Sequence, residues 1–269
     1  MIVTHLTSKE NPLFKRIRLV ASQARRAPAD IVLAEGVKNL EEATSAGCAF
    51  DSVIHSEHFG RGQRERRLLH VWRKQGVRLF SAREELIASA SDVQSFQGVL
   101  ALVRVPLVTL DGIKLQPGPL VLCICGVQDP GNLGALIRTA LAAGVNLICT
   151  TVGTVSARNP KAIRASAGAF FGVQIVEHIR PQEFTALCRS HSVPILRADA
   201  HGGLPYTQAV YRPSCAVLLG NEGQGVAEED WGDSGAVHIP MDRNVESLGV
   251  AAAGAVVLFE AHRQRSARS

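Results

Sequence analysis

The chain has 269 residues, 46% of them apolar, which allows two ordinary domains with sizeable cores. No apolar run approaches the roughly 20 residues of a membrane span, and the start Met1-Ile-Val-Thr-His-Leu-Thr lacks the basic opening and long apolar core of a signal peptide; a cytoplasmic protein with no membrane partner is expected. The formal charge of +5 is unevenly placed, since residues 1–104 carry 16 Lys and Arg against 11 Asp and Glu while the remainder carries 13 of each.

An excess of cations confined to the first part of the chain suits a partner with a phosphate backbone, because each Lys or Arg that neutralises a phosphate releases counterions. It also suits a merely soluble basic surface. Residues 11–26 are patterned as a basic amphipathic helix, with Leu13, Ile17 and Val20 on one face, Lys15, Arg16, Arg25 and Arg26 on the others, and Pro28 ending it. Those four cations are the candidate contacts for such a backbone. Strand and helix then alternate: a strand at Ile31–Ala34, a helix from Val37 to Ala46 closed by Gly47, a strand near 52–54, a helix ending near Gln75, a strand at 77–80, a helix at 83–90 and a strand at 99–103. This pattern predicts a compact α/β domain over residues 1–104.

Residues 105–118 contain Pro106, Gly112, Pro117 and Gly118 and are expected to link it to a second domain, 119–269. There the pattern predicts strands near 120–125, 145–150, 173–176, 193–197, 215–219 and 236–239, with helices near 133–143, 159–166, 181–190 and 247–263. Such an alternation makes a mostly parallel sheet covered on both faces. The tail from Arg263 to Ser269 is expected to fray. The six cysteines are scattered, and although Cys123 and Cys125 share a strand face, no His or Cys cluster completes a zinc set. They are expected to be small buried hydrophobes, with no metal site.

Three segments carry polar chemistry. In Gln128-Asp-Pro-Gly-Asn-Leu-Gly134, Pro130 suits the second position of a turn and Gly131 the positive φ that a type II turn needs next, which would put Asn132 at a helix N-cap at the strand's carboxyl end. Ligands collect at that edge of open α/β sheets. Arg138 follows two turns on, behind the small residues Gly134 and Ala135, although on its own it also fits an exposed arginine on an amphipathic helix. The second segment, Cys215-Ala-Val-Leu-Leu-Gly-Asn-Glu-Gly-Gln-Gly225, runs a buried strand into a glycine-rich loop that holds Glu222. Its glycines let backbone amides approach a ligand, but it matches neither the dinucleotide fingerprint nor a P-loop. The third joins Val237-His-Ile-Pro-Met241 to a helix rich in small residues, Ala251 to Ala255 with Gly254, for which Ser247 is the expected cap.

Together, Gln128-Asp-Pro-Gly-Asn-Leu-Gly-Ala-Leu-Ile-Arg-Thr-Ala140, Leu219-Gly-Asn-Glu-Gly-Gln-Gly225 and Ile239-Pro-Met241 with Glu246-Ser-Leu248 resemble the three motifs of the SpoU (TrmH-type) family, RNA ribose 2′-O-methyltransferases of the SPOUT superfamily. The first domain, including Glu35-Gly36 and Phe96-Gln-Gly98, resembles the ribosomal-protein-like substrate-binding domain of many members. The resemblance implies a trefoil-knotted α/β methyltransferase domain, a homodimer, and S-adenosylmethionine bound largely by backbone groups at Gly220, Ile239, Met241 and Leu248. It implies an active centre of Asn132, Arg138, Glu222 and Ser247, and a ribose 2′-hydroxyl as acceptor. Ribosomal RNA is favoured over transfer RNA because the added basic domain resembles those of ribosomal RNA enzymes.

One position departs from the family. The third motif usually runs Ser-Leu-Asn, and here the third residue is Gly249, which removes two donors and an acceptor from the implied centre. A chain that holds RNA without methylating it is the rival expectation. A hydrolase suggested by His201-Gly-Gly203 fails because no G-x-S-x-G elbow exists.

Overall fold

The computed structural model describes residues 3–91, 96–200, 202–220, 231–242 and 247–266. Its elements run β1 (Thr4–Leu6), α1 (Pro12–Ala21), β2 (Ile31–Glu35), α2 (Val37–Ser45), β3 (Ala49–Ser56), α3 (Gln63–Lys74), β4 (Leu79–Ala82), α4 (Glu84–Ala88) and β5 (Val99–Arg104). They continue with β6 (Leu120–Ile124), α5 (Pro130–Ala142), β7 (Leu147–Thr151), α6 (Pro160–Ala165), β8 (Gln174–Ile179) and α7 (Pro181–Ser190). The last are β9 (Ile195–Ala198), β10 (Leu204–Pro205), β11 (Cys215–Leu219), β12 (Gly235–His238) and α8 (Val250–Ser266).

The chain divides into two compact units, 1–107 with 158–172, and 108–157 with 173–269. A boundary drawn at 105–118 does not anticipate the return of 158–172 to the first unit. That stretch holds Arg158, Lys161 and Arg164 and no acid, so the first unit carries 19 Lys and Arg against 11 Asp and Glu while the second carries 10 against 13. The charge asymmetry is therefore sharper in space than along the sequence.

Unit 1 is a five-stranded mixed sheet in the order β1-β4-β3-β5-β2. β2 and β5 are antiparallel and buried along nearly their whole length. The short β1, parallel to β4, escaped the sequence pattern because three residues show no alternation. Helix α1 ends at Ala21 rather than Arg26: its buried residues are Phe14, Ile17 and Val20, the apolar stripe stops there, and Gln23 takes a left-handed φ of 50°. Arg25 and Arg26 thus lie beyond the helix, exposed and without an acidic partner among the described residues. Lys15 faces Glu10 at 2.9 Å and Arg16 faces Asp51 at 3.1 Å.

Unit 2 is a seven-stranded sheet in the order β10-β12-β9-β11-β6-β7-β8, and all its described pairings are parallel. Every residue of β6, β7 and β11 is buried, as a sheet covered on both faces requires. Cys123 and Cys149 pack with Phe184, Cys188 and Trp231 on one side. Burial pushes the Cys188 and Cys215 thiols up to about 12, so these cysteines behave as small hydrophobes at neutral pH. No helix among the described residues is long and apolar enough to cross a membrane.

The expected frayed tail is instead helical to Ser266. Arg265 donates to the carbonyls of Gly118, Tyr211 and Pro213 at 2.5, 3.3 and 2.7 Å, and these fixed acceptors offset the cost of ordering the side chain. Sequence spacing could not pair Arg265 with a carbonyl 147 residues away.

Candidate active site

The parallel sheet aligns the three motif segments. Ile124 and Leu219 are register partners at the ends of β6 and β11, and the Cys125 N–H donates to the Leu219 carbonyl at 2.8 Å. Gly220 therefore leaves the sheet beside the loop that leads to α5. Val237 of β12 pairs with Ala198, one residue beyond the Arg197–Leu218 pair, so Ile239, Pro240 and Met241 leave by the same carboxyl edge. Backbone groups that leave a parallel sheet at this edge are free of the ladder and point to solvent or ligand.

The loop after β6 is tied down by β7. Gly126, with φ 65°, donates its N–H to Thr154 Oγ1 at 3.0 Å and Thr151 Oγ1 at 3.2 Å, and the Thr154 hydroxyl donates to the Ile124 carbonyl at 3.1 Å. The Val155 N–H closes the arrangement on the Val127 carbonyl at 2.8 Å. The motif reading missed both threonines. Their only trace was two β-branched hydroxyl residues around Gly153 at a strand end.

Pro130 and Gly131 do not form the expected type II turn. They are the first two residues of α5, and the N-cap is Asp129, whose Oδ1 accepts from the Asn132 N–H at 2.7 Å. Proline is favoured at the first helical position because its missing N–H has no helical partner there, and a preceding aspartate completes the signal. Asn132 consequently sits inside the first turn, half-buried, with its side chain released from capping duty. Arg138 is exposed and has no hydrogen-bond or ion-pair partner among the described residues. An uncompensated guanidinium on this helix is available to a phosphate or carboxylate.

Ser247 is not the cap of α8. The helix begins at Val250, and the Gly249 carbonyl accepts from the Ala252 and Ala253 N–H groups at 2.9 and 3.0 Å. Gly249 is where the helix starts, and Ser247 lies exposed two residues upstream. Helix α8 then packs on α5 through Gly254: a Cβ there would lie 2.5 Å from Leu136 Cδ2 and 2.8 Å from Leu219 Cδ1. The small residues of the third motif thus bring the first two motifs under one helix, as the sequence suggested by allowing close packing.

Gly220, Ile239, Met241 and Leu248 are each half-buried, and their backbone polar groups lie outside the sheet ladders and helices. Partly exposed apolar side chains at Ile239, Met241 and Leu248, with backbone N–H and C=O groups outside the ladders and helices of the described residues, fit a heterocycle-bearing ligand. Glu222 lies outside the described residues. Lys15, Arg16, Arg25 and Arg26 belong to unit 1.

The profile described as the SpoU rRNA Methylase family matches residues 119–259. The chain is 28% identical to the 23S rRNA (guanosine(2553)-2′-O)-methyltransferase of Bacillus subtilis, covering 94% of this chain and 97% of that one. It is 32% identical to an uncharacterised tRNA/rRNA methyltransferase of Synechocystis sp., over 99% and 96% of the two chains. Among solved structures, the AdoMet-bound rRNA methyltransferase from Sinorhizobium meliloti superposes with a TM-score of 0.87 at 26% identity, covering 99% of each chain.

Proposed function

The chain belongs to the SpoU rRNA methylase family, and from that premise we propose that it is an S-adenosylmethionine-dependent methyltransferase acting on a ribose 2′-hydroxyl of ribosomal RNA. The observation that carries the reading is the register of β6, β11 and β12, which delivers the motif loops to one sheet edge. Its support from outside the chain is the likeness to enzymes so named, over nearly the full length of both partners.

Gly220, Ile239, Met241 and Leu248 would hold S-adenosylmethionine through their free backbone groups. The cofactor supplies an electrophilic sulfonium methyl and leaves as a neutral thioether. The chain's own work is to align a 2′-hydroxyl with that methyl and to remove its proton as the O–C bond forms. Alignment of reactants alone can lower a barrier by roughly 7–11 kcal/mol. Arg138 clamps a phosphate of the acceptor nucleotide and polarises the hydroxyl; a guanidinium, with a pKa above about 12, holds its protons too firmly to act as a base. Asn132 and Ser247 orient the hydroxyl, Glu222 anchors loop donors, and the proton passes to solvent at the exposed edge. Gly249 starts α8 with its carbonyl alone, a task that needs no side chain.

The family's remaining features complete the proposal. Residues 119–157 and 173–269 form the trefoil-knotted methyltransferase domain, and the basic unit 1 binds RNA, with Arg25 and Arg26, which have no acidic partner among the described residues, among its contacts. Two copies pair through α5 and α8, which pack on each other and leave Leu141 and Phe259 38% and 48% exposed.

Incubation with methyl-labelled S-adenosylmethionine and ribosomal RNA from a strain lacking the gene tests the reading. Label in 2′-O-methylated nucleosides of the large RNAs is the expected result. Label in base-methylated nucleosides, or none with folded protein, would overturn it.

A further inference from the structure

Unit 1 contains a cleft of about 170 Å³ lined by Glu35, Gly36, Lys38, Asn39, Phe96, Gln97, Arg164 and Ala167. It joins the two short segments that the sequence singled out, Glu35-Gly36 and Phe96-Gln-Gly98, to Arg164 and Ala167 of the returning stretch 158–172. None of these belongs to the methyl-transfer site, and all lie in one unit.

The cleft is built for a polar guest. Asn39 is 5% exposed, and while its Nδ2 donates to the Glu35 carbonyl at 2.9 Å, its Oδ1 is buried with no partner among the described residues. A buried acceptor left unpaired costs on the order of 1–3 kcal/mol, so a site that retains one is set to receive a donor. The orphan oxygen sits in the first turn of α2, whose cap, Gly36, has no side chain to offer. Gln97 serves instead: its Oε1 accepts from the Val37 N–H at 3.1 Å. A side chain at Gly36 would meet that oxygen at 2.7 Å, so the glycine keeps the floor of the cleft open.

The charges around the cleft are arranged for the other half of the guest. Glu35, 7% exposed, accepts from the Ser91 hydroxyl at 2.8 Å and faces the Arg164 guanidinium at 3.4 Å. Lys38, with its side chain 58% exposed, stands over the mouth beside Glu42. An aromatic ring at Phe96, a buried orphan acceptor on a lining residue, a helix N-terminus and two cations, Lys38 paired with Glu42 and Arg164 with Glu35, are the parts needed to hold one unpaired nucleotide: a base edge that donates, a base face that stacks and a phosphate.

We propose that this cleft takes a single unpaired nucleotide of the RNA substrate, with Asn39 Oδ1 accepting from its base and Lys38 and Arg164 meeting its phosphate. The proposal rests on the reading of the chain as an RNA methyltransferase. It adds a specific recognition point, far in sequence from the motifs, to what charge alone would make a non-specific surface.

The test uses the full-length chain and fragments of large-subunit ribosomal RNA substituted with 4-thiouridine. Photocrosslinks should map to the peptides holding residues 35–39 or 96–97. Lys38→Ala and Gln97→Ala, both at exposed positions, should each weaken binding of a looped RNA by about tenfold, the worth of one hydrogen-bonded or ionic contact, and leave binding of a fully paired duplex within twofold. Asn39→Leu should do the same. Unchanged thermal unfolding and S-adenosylmethionine affinity in Lys38→Ala would show that the fold is intact. Crosslinks confined to other peptides, with Lys38→Ala and Gln97→Ala binding as tightly as the parent, would overturn the proposal. Failure of the methyltransferase reading has a different signature: the unaltered chain would transfer no methyl group to RNA, whatever its crosslinks.

Discussion

Asp129 Oδ1 accepts the backbone N–H of Asn132 at 2.7 Å, so the residue that caps α5 stands three positions before the one proposed to touch substrate. The cap fixes where the first helical turn begins and hence where the Asn132 side chain emerges. Asp129→Ala should lower stability by about 1 kcal/mol, the usual worth of an N-cap, and reduce methyl transfer as well. Asp129→Asn, which keeps an acceptor oxygen, should recover most of both. Urea midpoints and initial rates for the two variants decide it; an alanine variant as active as the parent would remove Asn132 placement from the mechanism.

Arg138 is exposed and has no hydrogen-bond or ion-pair partner among the described residues, so its replacement is cheap for the fold. Arg138→Lys should stay within about 0.5 kcal/mol of the parent in stability while kcat/KM for RNA falls by about 10²-fold, because an ammonium cannot reproduce the two-pronged contact of a guanidinium. Steady-state kinetics beside a melting curve separates the two quantities. Near-normal turnover would exclude the clamp.

Gly249→Asn restores the amide usual in the third motif. Asparagine is among the best N-cap residues and glycine trails it by a few tenths of a kcal/mol, so α8 should tolerate the change. The variant is expected to melt no lower than the parent and to methylate RNA at least as fast. A slower enzyme would mean that the site is organised around the absence of that side chain.

Gly254→Ala puts a methyl group against Leu136 and Leu219 at once. The core cannot yield in two directions without shifting α8, and overpacking of this kind costs about 1–3 kcal/mol. Because Leu219 leads directly into Gly220, S-adenosylmethionine affinity should fall along with the melting temperature. Calorimetric titration of cofactor into the folded variant is the check; unaltered affinity would separate helix packing from cofactor binding.

His55 should make unit 1 acid-sensitive. Its Nδ1–H donates to the Ser56 carbonyl at 2.9 Å, and Nε2 is buried without a partner among the described residues. Burial, helped by the nearby Arg73, holds the ring below its ordinary pKa of 6.5; the Ser56 carbonyl pulls the other way and loses. The folded state therefore binds fewer protons than the unfolded state below about pH 6.5, so stability is complete above that value and is lost as pH falls from there through the folded pKa. His55→Gln should flatten the fall in melting temperature between about pH 7.5 and pH 5. An equal slope in the variant would assign the acid sensitivity elsewhere.

Much of this structure was legible before any coordinates. The alternation of short apolar runs with helix-patterned ones placed β2, β5, β6 and β11 within a residue or two, because a buried parallel or central strand needs an unbroken apolar run. The motif segments were found as sequence, and the register of the sheet explains why they act together. What escaped depends on partners distant along the chain. Thr151 and Thr154 matter because they bond Gly126, Arg265 because it reaches Gly118, and Asn39 because its amide oxygen has no partner among the described residues; a single sequence states none of these pairings. The misplaced turn at Pro130 was a choice between two local rules, and the cap rule won because Asp129 could satisfy the orphan N–H of Asn132.

The return of residues 158–172 to unit 1 also sets an order of events in synthesis. Arg158 satisfies the carbonyls of Ala29, Val105 and Pro106 at 3.2, 3.1 and 3.0 Å, and Gly168 sits so close to Glu42 that no side chain fits between them. As the chain leaves the ribosome, the Val105 and Pro106 carbonyls wait uncovered until Arg158, 53 and 52 residues further on, has been made. β6, α5 and β7 of the other unit are all translated in that interval, so neither unit can be cut out as one continuous fragment.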